Sequence, residues 1–265
     1  MLSVQPVFRL AVAQAPADLN SPTDRLDWLR SILPDIANSG ADLLLLPELF
    51  ACGYNIGDAI RTRAEIADGP TFAAIADMAH EAGVAIHYGF AERSEDALYN
   101  AALCVSADRT VLCHQRKLVL PPGFEKAYFT PGRGCHLFEY HKLKIATLIC
   151  YDAEFPETVR HVAQLGADLV LVPTALGSDW SWVAHTMIPT RAYENGVYLA
   201  YANSGGVENG SEFLGASVIA APDGIEVARA GASATIIYGD IDKSRVAAAQ
   251  KRLPYLKDGL TIDLS

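Results

Sequence analysis

The sequence predicts an α/β fold built from two related strand–helix–strand halves, and three observations lead to this prediction. The apolar strand pattern "FRLAVAQA" is followed by an amphipathic helix pattern and then by the apolar run "ADLLLLPE". The same order returns in "LKIATLIC", "FPETVRHVAQLG" and "ADLVLVPT". The segments "GADLLLLPE" (40–48) and "GADLVLVPT" (166–174) also nearly repeat each other. A strand, a helix and a strand in succession favour a parallel strand pair, so each half is expected to contribute one.

The helix of the first half has clear start and stop signals. Ser21 is a typical N-cap, Pro22 follows at the first helical position, and Gly40 suits the end of the helix. Pro34 lies inside the pattern, where a proline removes a backbone hydrogen bond. We therefore expect one helix over 21–40, with a kink at Pro34.

The rest of the chain continues the alternation of strands and helices. Between the halves we expect the helix "TFAAIADMAHEAG" and the strands "VAIHYGFAER", "LYNAALCVS" and "TVLCHQRK". After the second half we expect the helix "SWVAHTMIPTRAYENG", the strands "VYLAYANS", "GASVIAAP", "IEVARA" and "ATIIYGDID", and the short helix "KSRVAAAQKRL". No Pro-, Gly- or Ser-rich linker divides the chain, so we expect a single domain over residues 1–265.

Composition and charge exclude several classes of protein. The net charge of −10 disfavours binding to nucleic acid, because an acidic surface repels phosphates. No apolar run reaches the ~18 residues of a membrane helix. The start "MLSVQPVFRLAVAQAP" lacks the pattern of a signal peptide. The five cysteines are odd in number and scattered, which favours a reduced, cytoplasmic protein.

Three chemically reactive side chains follow apolar strands. Glu48 ends "DLLLLPE", Lys117 ends "VLCHQRK" and Cys150 ends "KIATLIC". Taken singly, Glu48 is typical of an acid in a surface loop, Lys117 of a surface lysine, and Cys150 of a small core residue. Ligands of α/β sheets bind outside the carboxyl ends of the strands, so together the three indicate a site.

These three residue types are sufficient for acyl transfer from an amide. A thiol needs a base, and a buried carboxylate such as Glu48 can take its proton and later give it to a leaving amine. Lys117 can keep the site from becoming doubly negative and can stabilise an oxyanion. The backbone N–H of Tyr151, directly after Cys150, is a second candidate for binding the oxyanion.

The motifs "LLLPELFACGY", "HQRKLVL" and "LICYDAEFPE" resemble those of the nitrilase superfamily of carbon–nitrogen hydrolases, in its amidase branch. The resemblance covers nearly the whole chain and is strongest to 5-aminopentanamidases and stereoselective amidases. It implies an αββα sandwich, a Glu48–Lys117–Cys150 catalytic set, and a second glutamate that orients the substrate amide, which "PPGFEKAYFTPG" places at Glu125. It also implies a small amide as substrate and a homodimer or larger homo-oligomer, and the chain's own motifs imply no cofactor or metal.

The expected substrate-binding residues lie in the first and third of these motifs and in the strand end "VPTALGSDWSW". They are Tyr54, Tyr151, Glu154, Thr174 and Asp179. Omega-amidases, which take amides bearing a carboxylate, typically have arginine where this chain has Glu154. A glutamate there would repel a substrate carboxylate, and Asp179 would add to the negative field. The sequence therefore predicts neutral or amine-bearing amides as substrates, unless Glu154 only pairs with Arg160 or another basic residue on the surface.

Other interpretations remain open. A Cys–His pair is the commonest alternative thiol mechanism, and the chain has seven histidines, but none lies in an informative strand-end motif. Cys113-His114 and Cys135-His136 suggest zinc, yet adjacent residues of a strand point to opposite faces. An N-carbamoyl amine hydrolase of the same fold, or a catalytically idle homologue that binds partners, also agrees with the motifs.

Overall fold

The computed structural model describes residues 8–259 of the 265-residue chain. The expectation that the chain lacks a signal peptide rests partly on residues 1–7, which lie outside the described residues. The strands are β1 Phe8–Pro16, β2 Leu43–Leu45, β3 Ala85–Ser94, β4 Ala97–Val105, β5 Val111–Arg116, β6 Leu137–Tyr140, β7 Leu143–Thr147, β8 Leu169–Pro173, β9 Tyr198–Ala202, β10 Ser204–Glu208, β11 Ser211–Leu214, β12 Val218–Ala220, β13 Glu226–Arg229 and β14 Thr235–Ile241. The α-helices are α1 Pro22–Asn38, α2 Ala59–Arg63, α3 Pro70–Ala82, α4 Phe124–Tyr128, α5 Pro156–Gln164, α6 Ile188–Asn195 and α7 Lys243–Arg252.

These strands form two sheets. The larger has the order β11-β10-β1-β2-β3-β4-β5, with β14 paired antiparallel to β1, and the smaller has the order β13-β12-β9-β8-β7-β6. β1 pairs parallel with β2, and β7 pairs parallel with β8. The two parallel pairs predicted from the repeated segments are therefore confirmed, one in each sheet.

Three apolar layers hold the sheets and helices together. Alternate residues of β1 and β2, such as Leu10 and Leu43, pack between the sheets against Leu169 of β8. The opposite face of the larger sheet packs against α1 and α3, as at Leu29, and that of the smaller sheet packs against α5 and α6, as at Val159. The order helix, sheet, sheet, helix confirms the expected αββα sandwich.

The helix of the first half follows its sequence signals closely. Ser21 caps α1 in a capping box with Asp24, and Pro22 stands at the first position. Pro34 lies inside the helix, as expected. The helix ends at Asn38 with Ser39 as its C-cap, and Gly40 follows with a φ of 75°.

Several expectations about elements were wrong. Glu48 and Cys150 do not end strands: β2 stops at Leu45 and β7 at Thr147, and Cys150 begins a 3₁₀-helix over Cys150–Glu154. The single helix expected over "SWVAHTMIPTRAYENG" is a π-helix, Val183–Met187, followed by α6. The elements α2, α4, β6 and the β10–β11 hairpin were not predicted. Short segments such as "SGGVE" and "SEFL" gain their hydrogen bonds from pairing with each other, which local patterns do not reveal.

Candidate active site

The two repeated segments end beside each other, and this brings residues of both sheets to one place. The backbone N–H of Glu48 donates to the carbonyl of Thr174, at 3.3 Å. Gly89 of β3 allows the turn around Glu48 to lie close to the sheet, because a Cβ there would come within 2.4 Å of the backbone nitrogen of Leu49. The carboxylate of Glu48 is consequently fixed at the edge between the sheets, with only 3% of the residue exposed.

Lys117 lies between two buried carboxylates. Its Nζ donates to Oε1 of Glu48 at 2.6 Å and to Oε1 of Glu125 at 2.7 Å. Glu125 is supplied by the short helix α4, and Lys117 follows β5 directly. All three side chains are at most 1% exposed, so these ion pairs are shielded from water. The structure thus brings together three of the four residues that the motifs identified.

The fourth residue, Cys150, begins the 3₁₀-helix in a left-handed conformation with a φ of 47°. Such a backbone is uncommon for a residue other than glycine and is found at functional sites. The thiol is buried and lies close enough to Thr174, Glu48 and Lys117 for these groups to act on its pKa. The hydroxyl of Thr174 in turn donates to that of Tyr201 at 2.9 Å.

Asp152 joins the turn of Cys150 to the segment of Lys117. Its carboxylate accepts backbone N–H groups of Ile149 at 3.0 Å, Leu118 at 3.0 Å and Val119 at 2.8 Å. Asp152 therefore anchors the turn that carries Cys150. Burial raises its pKa to about 6, although Lys117 and the backbone donors oppose the shift.

Asn100, which the sequence reasoning missed, connects the two glutamates. Its Nδ2 donates to Oε1 of Glu48 at 2.7 Å and to Oε2 of Glu125 at 3.1 Å. Tyr54 adds a further hydrogen bond from its hydroxyl to Oε1 of Glu125, at 2.7 Å. The available signal for Asn100 was an amide side chain within the apolar strand "LYNAALCV", since a buried amide needs partners.

Three acidic groups, Glu48, Glu125 and the Cys150 thiol, act on a single basic group, Lys117. Burial raises the pKa of Glu48 to about 7, with Lys117 opposing and Glu125 reinforcing the shift. Burial disfavours the charge of Lys117, but Glu48, Cys150 and Glu125 outweigh it and raise the pKa of the lysine. Burial, reinforced by Glu48, also raises the pKa of the Cys150 thiol. The thiol is therefore neutral at pH 7 and needs a nearby base before it can react.

Glu48 has one oxygen free to act as that base. Lys117 and Asn100 both donate to Oε1 of Glu48, whereas its buried Oε2 has no hydrogen-bond partner among the residues that the structure describes. A carboxylate oxygen that is buried and unpaired has a strong affinity for a proton. The arrangement can therefore take a proton from a thiol and return it to a leaving group.

The remaining predicted substrate-binding residues lie at different depths. Tyr151 and Glu154 are partly buried in the 3₁₀-helix of Cys150, whereas Asp179 is exposed and lies outside the buried cluster. Burial raises the pKa of Glu154, and the positive charges of Lys117 and Arg191 oppose that shift. Arg160, the surface partner considered as an alternative, is not among these charges.

A second buried ion pair, also missed from the sequence, holds the loop that carries Tyr54. Glu208 accepts from Arg25 at 2.6 Å and from the backbone N–H groups of Tyr54 at 3.0 Å and Asn55 at 2.6 Å. Arg25 also donates to the carbonyl of Phe50 at 3.2 Å. The pair fixes the loop from two sides and thereby places the tyrosine hydroxyl on Glu125.

Residues 8–259 contain no group of three or more His, Cys, Asp and Glu side chains placed to hold a metal ion. Over the same range, every helix is too short or too polar to cross a membrane.

Comparison with known proteins gives one family throughout. The carbon–nitrogen hydrolase family model matches residues 9–251. The (R)-stereoselective amidase of a Pseudomonas species is 31% identical over 82% of this chain and 79% of its own length. The N-carbamoylputrescine amidase of Solanum lycopersicum is 35% identical over 77% of each chain.

The amidase from Nesterenkonia sp. AN1 has a similar solved structure. Its double mutant in complex with acrylamide has a TM-score of 0.87 and 30% identity, covering 97% of this chain and 96% of that one. Another structure of the same amidase, with a TM-score of 0.85 and 31% identity over 95% and 94% of the chains, has the acetamide moiety of fluoroacetamide added covalently at the active site cysteine. These likenesses confirm the resemblance from which the fold and the chemistry were expected.

Proposed function

The chain belongs to the carbon–nitrogen hydrolase family as an amidase-type enzyme, and we propose that it hydrolyses small carboxamides to a carboxylic acid and ammonia through a thioester on Cys150. One observation carries the proposal: a single lysine is shared by two buried carboxylates, and one of them keeps an unpaired oxygen near a buried thiol. A structural ion pair would leave neither a surplus of negative charge nor an orphaned oxygen.

The first half of the reaction acylates the thiol. Oε2 of Glu48 takes the proton of Cys150 as the sulfur attacks the amide carbon, which forms a C–S bond and moves the carbonyl electrons onto oxygen. The remaining proton of Lys117 and the backbone N–H of Tyr151 bind that oxyanion, since N–H groups of a first helical turn have no partner within the helix. The carbonyl re-forms as the C–N bond breaks, and Glu48 gives its proton to the departing ammonia.

The second half of the reaction restores the enzyme. Glu48, again a carboxylate, takes a proton from water, and the oxygen attacks the thioester carbon. The acid leaves when the C–S bond breaks and the sulfur recovers the proton. Glu125 is held by Lys117, Asn100 and Tyr54, so its role is to orient the substrate amide rather than to exchange protons. Covalent addition at the active site cysteine of the similar Nesterenkonia amidase supports the same role for Cys150.

The charge of Glu154 defines the class of amide. Its side chain is partly buried in the turn of the nucleophile and is influenced electrostatically by Lys117. A negative group in that position repels a substrate carboxylate and attracts an ammonium. We therefore expect neutral or amine-bearing amides, such as 5-aminopentanamide, to react faster than dicarboxylic monoamides. Asp179, which is exposed, contributes little to this selection.

A second candidate is hydrolysis of N-carbamoyl amines. The observation in its favour is the similarity to N-carbamoylputrescine amidase of Solanum lycopersicum. The same thiol chemistry then acts on a urea-type carbonyl and yields an amine, carbon dioxide and ammonia. Both candidates release ammonia, so carbon dioxide distinguishes them.

The test is release of ammonia and carbon dioxide from a panel of small amides, carbamoyl amines and nitriles. We expect ammonia without carbon dioxide from the neutral and amine-bearing amides. Carbon dioxide from the carbamoyl amines at a higher rate would favour the second candidate.

A binding protein without activity is the competing class. It would release ammonia from none of these compounds, and its Cys150 would react with iodoacetamide no faster than the other four cysteines.

A further inference from the structure

Asn100 is the one residue of β4 whose side chain contacts both buried glutamates, and it lies outside the three sequence motifs. It is 1% exposed. Its backbone carbonyl accepts the N–H of Lys117 at 2.8 Å, so the residue contacts all three charged groups of the cluster. Carboxylates only accept hydrogen bonds, and the amide nitrogen must therefore face them, which fixes the orientation of the side chain.

A count of donors explains why the two glutamates differ. Glu125 receives three hydrogen bonds spread over both oxygens, from Lys117, Tyr54 and Asn100. Glu48 receives two, from Lys117 and Asn100, both on Oε1. With Asn100 absent, Glu48 would be held by the lysine alone and its two oxygens could exchange places.

We propose that Asn100 is a positioning residue that sets the roles of the two glutamates. One amide proton fixes Oε1 of Glu48, which leaves Oε2 to take the proton of Cys150. The other amide proton completes the set of donors that holds the Glu125 carboxylate in place to orient the substrate. The inference rests on the proposed role of Glu48 as base.

The consequence is measurable as a change in how the rate of Cys150 alkylation depends on pH. A hydrogen bond to a carboxylate favours its ionised form, and loss of a bond to a charged group changes such an equilibrium by about tenfold or more. Loss of the amide donor should therefore raise the pH at which Glu48 becomes a base. The hydrogen bond from Asn100 is among the interactions that lower the pKa of Glu48, so its loss should raise that pKa.

The experiment measures alkylation of Cys150 by iodoacetamide as a function of pH, followed by mass spectrometry of the Cys150 peptide. Asn100→Leu removes both donors while keeping the volume. Asn100→Asp keeps the shape but adds a third carboxyl around one lysine, and it decides the question if the leucine variant fails to fold. The matched control is Asn195→Leu: Asn195 is also 1% exposed and bonds only a backbone carbonyl, that of Arg191.

We expect the midpoint pH of Cys150 alkylation to rise by about one pH unit in Asn100→Leu and by more in Asn100→Asp. It should not change in Asn195→Leu. The alkylation rate at pH 7 should fall about tenfold in Asn100→Leu. A wild-type midpoint in both folded Asn100 variants would overturn the inference while leaving the proposed function intact. A wild-type Cys150 that reacts no faster than the other cysteines would overturn both.

Discussion

Two buried ion clusters in this molecule lie one on each side of Tyr54, yet they are built on opposite plans. In the first, Arg25 and Glu208 form a pair in which both carboxylate oxygens are hydrogen-bonded. In the second, Lys117 faces two glutamates, and Oε2 of Glu48 is left without a partner within the described part of the chain. The first cluster is balanced in charge and the second is not.

The difference separates a structural use of buried charge from a chemical one. Removing charges from water is costly, and the cost is offset only when each charge is paired and each oxygen satisfied. The Arg25–Glu208 pair meets that condition for both carboxylate oxygens, although Nε of Arg25 has no partner among the described residues, and it holds a loop in place. The Lys117 cluster does not meet that condition, because Oε2 of Glu48 has no partner among the described residues. Burial raises the pKa of Glu48 to about 7, close to the pH at which a general base works best.

The largest effect should come from removing the group on which the unbalanced cluster acts. Cys150→Ala leaves no nucleophile, and loss of such a group commonly lowers kcat by about a thousandfold or more. Ammonia release should therefore vanish while the circular dichroism spectrum stays that of the wild type. Turnover within tenfold of the wild type, in a variant that folds normally, would show that the thiol is not the nucleophile.

The comparison itself is tested by making the same substitution in each cluster. Glu48→Gln should lower kcat by at least about a hundredfold with little loss of stability, because the cluster keeps Glu125 as partner of Lys117. Glu208→Gln should lower the free energy of unfolding by about 3 kcal/mol, because it leaves Arg25 buried without its counter-ion, and should lower kcat far less. Urea denaturation and steady-state kinetics on both variants measure the two effects.

If both variants lose stability and activity in the same proportion, the distinction between a structural and a chemical cluster is wrong. Asp77→Asn serves as control, since Asp77 pairs with Arg109 at the exposed surface and such pairs contribute little.

The pH dependence of activity should reflect the raised pKa of Glu48. A base works only when deprotonated, so kcat/KM should fall as the pH drops through about 7. An ordinary glutamate would keep the enzyme active to a pH near its usual pKa of about 4.3. Stopped assays between pH 4 and pH 9 with one amide distinguish the two cases, and full activity at pH 5 would contradict a buried glutamate base.

A smaller effect is expected from the charge of Glu154. Glu154→Arg should shift the ratio of kcat/KM for 5-aminopentanamide over succinamate towards succinamate by about tenfold or more, since arginine clamps carboxylates and repels ammonium groups. Glu157→Arg is the matched control, because Glu157 is exposed in the first turn of α5. An unchanged ratio in Glu154→Arg would mean that another residue selects the substrate.

The positions of Glu48, Lys117 and Cys150 near the ends of apolar runs were predictable because their signals are local. Glu48, Lys117 and Cys150 each lie directly after an apolar run or within one turn of it. The repeated segments "GADLLLLPE" and "GADLVLVPT", which end at Glu48 and Thr174, predicted one parallel strand pair in each half. The structure adds that these ends touch, through the hydrogen bond from Glu48 to Thr174. The predicted ends of the strands before Glu48 and Cys150 were wrong, because the backbone turns before these residues are reached.

The supporting residues were not predictable for a physical reason. Glu208 and Arg25 are 183 positions apart, and their pairing arises only when β10 lies beside β1. Asn100 lies within an ordinary strand pattern, and its partners are supplied by a turn and by the short helix α4. Such contacts depend on tertiary packing, whereas periodicity and capping signals describe only neighbours along the chain.

The central claim is that Cys150 carries the acyl group during turnover, and rapid-quench mass spectrometry tests it most directly. A reaction with 5-aminopentanamide, stopped in acid within the first turnovers and digested, should show the mass of the acyl group on the peptide that contains Cys150. The adduct should form more slowly in Glu48→Gln and be absent in Cys150→Ala. An adduct on a different residue, or turnover with no adduct on any peptide at any quench time, would contradict the account.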